Sequence, residues 1–342
     1  MRCVMIRHAG LRTLVREIRL RLLSHAAAVG KKEGEGPLGS RFDFVTKNDR
    51  LGQKSWELAE SELQKTAIDL ALRKGGLHRR DLDLILAGDL LNQCIGSFLA
   101  SMHADVPYLG QYGACSTMAQ GLALGGVLVE AGAAARLSVS ASSHFCSAER
   151  QYRFPLAYGG QRTPTAQWTA TAAGAAVLGA EGASDVCLTH VLFGKMVELG
   201  VKDANNMGAA MAPAACDTLS CLLREMGAKP EDFDCIVTGD LGRVGADLLL
   251  TLLREDGIDL SPVYSDCGVL LFGDSQDAHA GGSGCGCSAA VLCGPLLRDM
   301  HEGKIRRMVF AGTGAMMSPT SVQQGQPIAG ICHAVVLERS SR

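Results

Sequence analysis

The chain has 342 residues, a net charge of -2, a pI near 6.5, and is 47% hydrophobic and 20% charged. That is enough material for a large core and about two domains, and the balanced charge gives no basic field for nucleic acid. Only 5% of residues are aromatic while 41 are glycine, a bias that suits close helix-to-sheet packing in a layered α/β protein.

Residues 1–23 stand apart: six arginines face one glutamate, with apolar residues between them. They read as a basic N-terminal extension, either an amphipathic helix touching an anionic surface or a solvated, frayed segment. Leu22 to Val29 is expected to be a first strand. A polar Gly/Pro loop follows at 31–39. Trp56 to Lys74 repeats apolar residues at helical spacing and stops at Gly75-Gly76. Asp83 to Ala87 is a buried strand that ends in Gly88-Asp89. Tyr108 to Gly132 is a short strand, a Gly-Ala turn, Cys115, and then a helix with almost no polar face, which belongs at the centre of a core. Ser116 and Thr117 are N-cap types, so the helix begins at or just after Cys115. The positive end of its dipole is expected to lower the thiol pKa. Leu137 to Ala141 is a strand ending in Ser-Ser-His144. Residues 150–169 form a turn-rich excursion, and Gly174 to Leu178 returns as a strand.

The pattern then repeats. A helix spans 215–227 and a strand 233–242. Asp83, Ile85, Gly88, Asp89 and Leu90 recur as Asp234, Ile236, Gly239, Asp240 and Leu241 at an offset of 151. Cys115-Ser116 returns as Cys287-Ser288 before a second apolar helix, Arg307 to Ala311 answers 137–141, and His333 to Leu337 answers 174–178. Duplication sets the fold. Two α/β halves are expected, residues 24–185 and 186–342, after the extension.

The 13 cysteines form no disulfide framework and no secretory signal is evident, which suits free thiols in a reducing compartment. Cys285, Cys287 and Cys293 with His279 lack the paired spacings of a zinc site, so no metal is expected. No run of 18 apolar residues would span a membrane. Asp89 and Asp240 end equivalent strands, where α/β sheets bind ligands, although each could simply cap its own turn. Arg243, in a Gly-flanked loop, suits a carboxylate ligand or a surface ion pair. His144 and His333 could each line a pocket at Cys115 or be satisfied core histidines.

A duplicated α/β half with a cysteine at the mouth of a buried helix resembles the thiolase and β-ketoacyl-synthase superfamily. Blocks such as KEGEGPLG (32–39), LAGDLLNQ (86–93), YLGQYGACSTM (108–118), NNMGAAMAPAA (205–215), VTGDLGRVG (237–245) and SGCGCSA (283–289) run in an order similar to the stage V sporulation protein AD family of endospore formers. Residues 1–23 do not look like that family's usual start. The resemblance implies a five-layer αβαβα fold with the helices at 115–131 and 287–301 in the middle, and a homodimer formed edge to edge through the strand before the first of them. It implies binding of dipicolinic acid (pyridine-2,6-dicarboxylate), support of its movement into the developing spore, and membrane-protein partners of the same stage V sporulation A set. The chain would then be peripheral on the spore inner membrane, with no cofactor.

The superfamily's condensing enzymes activate their cysteine with two histidines, or a histidine and an asparagine, from two loops. Here those loops read Thr238-Gly239-Asp240-Leu241-Gly242-Arg243 and Gly284-Cys285-Gly286-Cys287-Ser288, with neither residue type. Three readings stay open: a binding protein, an acyltransferase with Cys115 as nucleophile, and a structural subunit with an empty pocket. For the first, Cys115 and Ser116 at the helix start would meet one ligand carboxylate and Arg243 or Arg162 the other, with His144, Asp240 and His333 as further candidate contacts.

Overall fold

The computed structural model describes residues 7–152 and 162–340, without the side chains of 16–19. The principal elements are β1 (Thr13–Val29), α1 (Trp56–Lys74), β2 (Leu84–Gly88), β3 (Tyr108–Gln111), α2 (Thr117–Glu130), β4 (Arg136–Ser143), α3 (Phe145–Tyr152), β5 (Ala172–Gly179) and β6 (Val186–Leu192). The chain continues through α4 (Met207–Met226), β7 (Cys235–Thr238), α5 (Gly242–Glu255), β8 (Tyr264–Asp266), α6 (Cys285–Val291), β9 (Arg307–Met316) and β10 (Ala329–Arg339). A π turn at Leu292–Leu296 carries α6 on to His301. Pro295 lies in that turn, where its missing N–H and its ring disfavour a regular α-helical bond.

The hydrogen-bonded strand order is β8-β7-β9-β10-β6-β1-β5-β4-β2-β3. The two halves have one topology. In the first, β2 runs parallel to β3 and β4, β4 is antiparallel to β5, and β5 is antiparallel to β1. In the second, β7, β8, β9, β10 and β6 repeat those relations in the same order. The halves meet where β1 pairs antiparallel with β6.

Small residues let the central helices lie between the half-sheets. A Cβ on Gly121 of α2 would sit 2.5 Å from Val139 of β4, and one on Gly312 of β9 would sit 2.6 Å from Ala119 of α2. The helix therefore touches strands of both halves. Gly286 of α6 packs as closely on Ala172 of β5. Helix α1 covers the outer face of β1 and β5, and α4, with α5 packed beside it, covers β10 and β9. The result is the five-layer αβαβα sandwich of two duplicated halves.

Helix α1 has its expected bounds: Ser55 caps it by accepting from the Leu58 N–H at 3.2 Å, and Leu63, Ala67, Ile68 and Ala71 are buried. Other expectations need correction. Residues 13–23 are neither helix nor frayed: they are the first part of β1, and only 1–6 of the supposed extension lie outside the described residues. The Glu225 carboxylate of α4 accepts the N–H groups of Leu11, Arg12 and Thr13, which ties this segment to the second half. Helix α4 starts at Met207, not 215, capped by Asn206, and tolerates Pro213. The excursion at 150–169 opens within α3, and its residues 153–161 lie outside the described residues. Strands β6 and β8 and helix α5 were not foreseen. Among the described residues no helix is long and apolar enough to cross a membrane.

Candidate functional site

Strand β3 ends in a tight turn through Ala114, which takes a left-handed φ of +48°. A non-glycine residue there carries about 1 kcal/mol of strain, the kind that surrounding structure tolerates at functional positions. The turn places Cys115 at the mouth of α2 and buries it to 5% exposure. A narrow pocket of about 50 Å³ opens beside the thiol, lined by Leu90, Tyr112, Glu149, Tyr152, Met207 and Ser283, among others. No basic residue lines it among the described residues.

Asp240, at the end of β7, lies directly behind Cys115 and is fully buried. Its carboxylate is in hydrogen-bonding contact with the Cys115 thiol. It also accepts the Gly284 N–H at 2.7 Å, the Thr313 hydroxyl at 3.0 Å and the Ser283 hydroxyl at 3.3 Å. The Gln167 amide donates to the Asp240 carbonyl at 2.7 Å and fixes the loop. Burial, opposed by these bonds, raises the Asp240 carboxyl to about 6. Burial, and then the Asp240 charge, push the Cys115 thiol well above its ordinary value of 9.0. The expected dipole-lowered thiolate is thus overridden by desolvation and a neighbouring carboxylate. With the carboxyl near 6 and the thiol pushed well above its ordinary value, moving the thiol proton to Asp240 runs uphill, so this pair is a poor nucleophile–base couple.

The sequence candidates separate. Cys115 and Asp240 come together, and Ser116 is adjacent, but its hydroxyl turns back to the Gly113 carbonyl at 2.6 Å. His144 does not line the pocket. It lies against Trp56 with ring centroids 5.3 Å apart, its Nε2 bonds the Asp49 carbonyl, its Nδ1 accepts from the Cys146 N–H, and burial lowers its pKa. His333 is likewise elsewhere: it accepts from the Gly194 N–H, and burial lowers it to about 4. Arg243 pairs with Asp274 at the surface, and Arg162 lies over Trp168 at 4.6 Å. Asp89 caps its own loop, accepting from the N–H groups of Leu91 and Ser97 at 2.8 and 2.7 Å. Ser283, Thr313, Glu149 and the pair Tyr112–Tyr152, whose hydroxyls are 3.1 Å apart, join the site without having been expected from the sequence. Ser283 stood in the SGCGCSA block directly before the expected loop, while Thr313 had no sequence signal at all.

The family described as stage V sporulation protein AD matches residues 10–338. The chain belongs to the stage V sporulation protein AD family. Stage V sporulation protein AD of Bacillus subtilis (strain 168) is 42% identical over 331 residues, covering 97% of this chain and 98% of that protein. The family match begins at residue 10, inside the segment 1–23. Among solved structures, the chain is similar to 3-oxoacyl-[acyl-carrier-protein] synthase III from Aquifex aeolicus VF5, with TM-score 0.55, 14% identity, and 93% and 99% of the two chains covered. A tetronic acid condensing enzyme gives TM-score 0.59, 19% identity, and 92% and 99%. OleA from Xanthomonas campestris gives 0.59, 13%, and 95% and 97%. These likenesses establish the thiolase-like fold of the family member.

Proposed function

We propose that this sporulation protein is a non-catalytic binding protein that takes dipicolinic acid at the Cys115 pocket and supports its uptake into the developing spore. The observation that carries the reading is what faces the thiol: a buried carboxylate, Asp240, stands where an activating imidazole would be needed. The site keeps its thiol protonated, and the mouth of α2 offers the positive end of a helix to an anion. The family's other attributes belong to the same proposal. The partners are further stage V sporulation A membrane proteins, and the chain is peripheral on the spore inner membrane. Two copies associate edge to edge through β3, a strand at the sheet margin whose Leu109 is 49% exposed.

Titration calorimetry with dipicolinate tests the binding. Heat lost in Cys115→Ala supports the pocket, and a flat trace with the unaltered chain overturns the reading. The competing acyltransferase reading draws on the cysteine at the nucleophile position of a condensing-enzyme fold. Intact-mass spectrometry after incubation with acyl-CoAs is expected to give no adduct on Cys115. A stable adduct that turns over would establish transfer chemistry instead.

A further inference from the structure

A basic cavity lies at the other end of the fold. Strand β4 begins at Arg136 and ends next to α3, which lines the Cys115 pocket, so Arg136 and Cys115 are at opposite ends of the half-sheet. Around Arg136 lies an open cavity of about 770 Å³, lined also by Arg21, Leu23, Lys74, Glu181 and Asp185, among others.

The register makes this cavity unusual. Arg21 of β1 and Arg136 of β4 are both paired with the same residue, Gly179 of the intervening strand β5. Directly opposed residues of antiparallel strands share a face, so both guanidiniums stand on one side of the sheet, with Cα atoms about 10 Å apart. Gly179 between them carries no side chain, and Leu23 takes the space, its Cδ1 2.8 Å from where a Cβ on Gly179 would lie. Like charges in one cross-strand row repel. Neither arginine forms an ion pair among the described residues. Arg21 donates to the Ser184 carbonyl and Arg136 to the Asp81 carbonyl at 3.4 Å, and the buried Nε of Arg136 has no hydrogen-bond partner. The acidic residues nearby do not neutralise the row. Asp185 is held by His301 at 2.8 Å and Arg339 at 2.7 Å, and Glu181 is exposed. Lys74 adds a third cation at the wall, tied to Asp43 at 3.0 Å.

We infer that the cavity flanked by Arg21 and Arg136 binds a phosphate-bearing ligand, independent of the Cys115 pocket. Two guanidinium forks separated by a gap match the several oxygens and the double charge of a phosphate group. Such a group arrives either on a soluble molecule or on a lipid headgroup, and both sources share this chemistry.

Sodium pyrophosphate titrated calorimetrically at low salt is the first probe, and flotation with phosphatidylcholine vesicles with and without phosphatidic acid is the second. Each of Arg21→Gln and Arg136→Gln is expected to weaken binding about tenfold, and the double variant about a hundredfold. Flotation that pyrophosphate reverses identifies a lipid source, and heat without flotation identifies a soluble one. No heat and no flotation with the unaltered chain overturns the inference, as does a folded double variant that binds normally. If the double variant does not fold, Gly179→Ala replaces it: it keeps both charges, pushes Leu23 into the cavity between the two arginines, and should weaken binding about tenfold, whereas unchanged affinity counts against the site.

Discussion

Dipicolinate is expected to bind this chain about tenfold more weakly for each pH unit above 6, and Asp240→Asn should abolish that slope. The ligand is a dianion, and Asp240 stands behind two pocket-lining residues, Cys115 and Ser283. Burial raises its carboxyl to about 6, so it is neutral below that pH and charged above it. A dianion that binds the neutral form best takes up one proton on binding when pH exceeds 6, and linkage then fixes the slope at about one decade per unit. Below 6 the site is already protonated and affinity should level off. The Cys115 thiol, held well above 9.0, contributes no titration in this window. An asparagine carries no charge at any pH, so the variant should bind between pH 6 and 8 with a flat profile. Calorimetry at four pH values decides: a profile that stays flat in the unaltered chain removes Asp240 from the ligand's electrostatics.

The duplication was readable because equivalent residues keep equivalent duties. Asp83 accepts the N–H groups of Ala135 and Arg136 at the start of β4, and Asp234 accepts those of Arg306 and Arg307 at the start of β9. The next pair breaks that rule. Asp89 and Asp240 share the motif Gly-Asp-Leu, yet Asp89 bonds its own loop while Asp240 reaches Gly284 and Thr313. Identical local sequence cannot reveal a partner that arrives from 44 or 73 residues away. The same limit explains β1. Its arginine-rich start resembles a solvated or amphipathic segment, and antiparallel pairing with β6 and β5, both remote in sequence, makes it a strand. His144 and His333 failed as pocket candidates for another reason. His144 follows the end of β4 and His333 lies within β10, and backbone partners claim a nitrogen of each ring. Those partners lie 95 and 139 residues away, so the bonds leave no trace in spacing or periodicity. What periodicity did carry was the set of buried helices, because an apolar stripe or an all-apolar surface is a property of one segment.

Gly286→Ala is expected to destabilise the chain by about 3 kcal/mol, although it adds a single methyl to an apolar helix that favours alanine elsewhere. The reason lies in how α6 sits on the sheet. A Cβ at Gly286 would come within 2.1 Å of the Ala172 carbonyl oxygen and 2.6 Å of the Ser143 nitrogen. Both are backbone atoms of strands, so no rotamer change can make room. The reciprocal contact is as tight, with a Cβ at Gly174 lying 2.2 Å from the Ala289 carbonyl oxygen. Helix and sheet would have to separate, and the buried side chains of α6, including Cys285, Cys287 and Val291, would lose contact with the core. That separation also shifts Ser283 and Gly284, which hold Asp240 against Cys115. Urea unfolding should therefore show a lower midpoint with an unchanged slope, and dipicolinate affinity should fall in the fraction that remains folded. A midpoint within error of the unaltered chain would mean that α6 rides further from β5 than the glycine contacts require, and the close coupling of helix, sheet and pocket would fail with it.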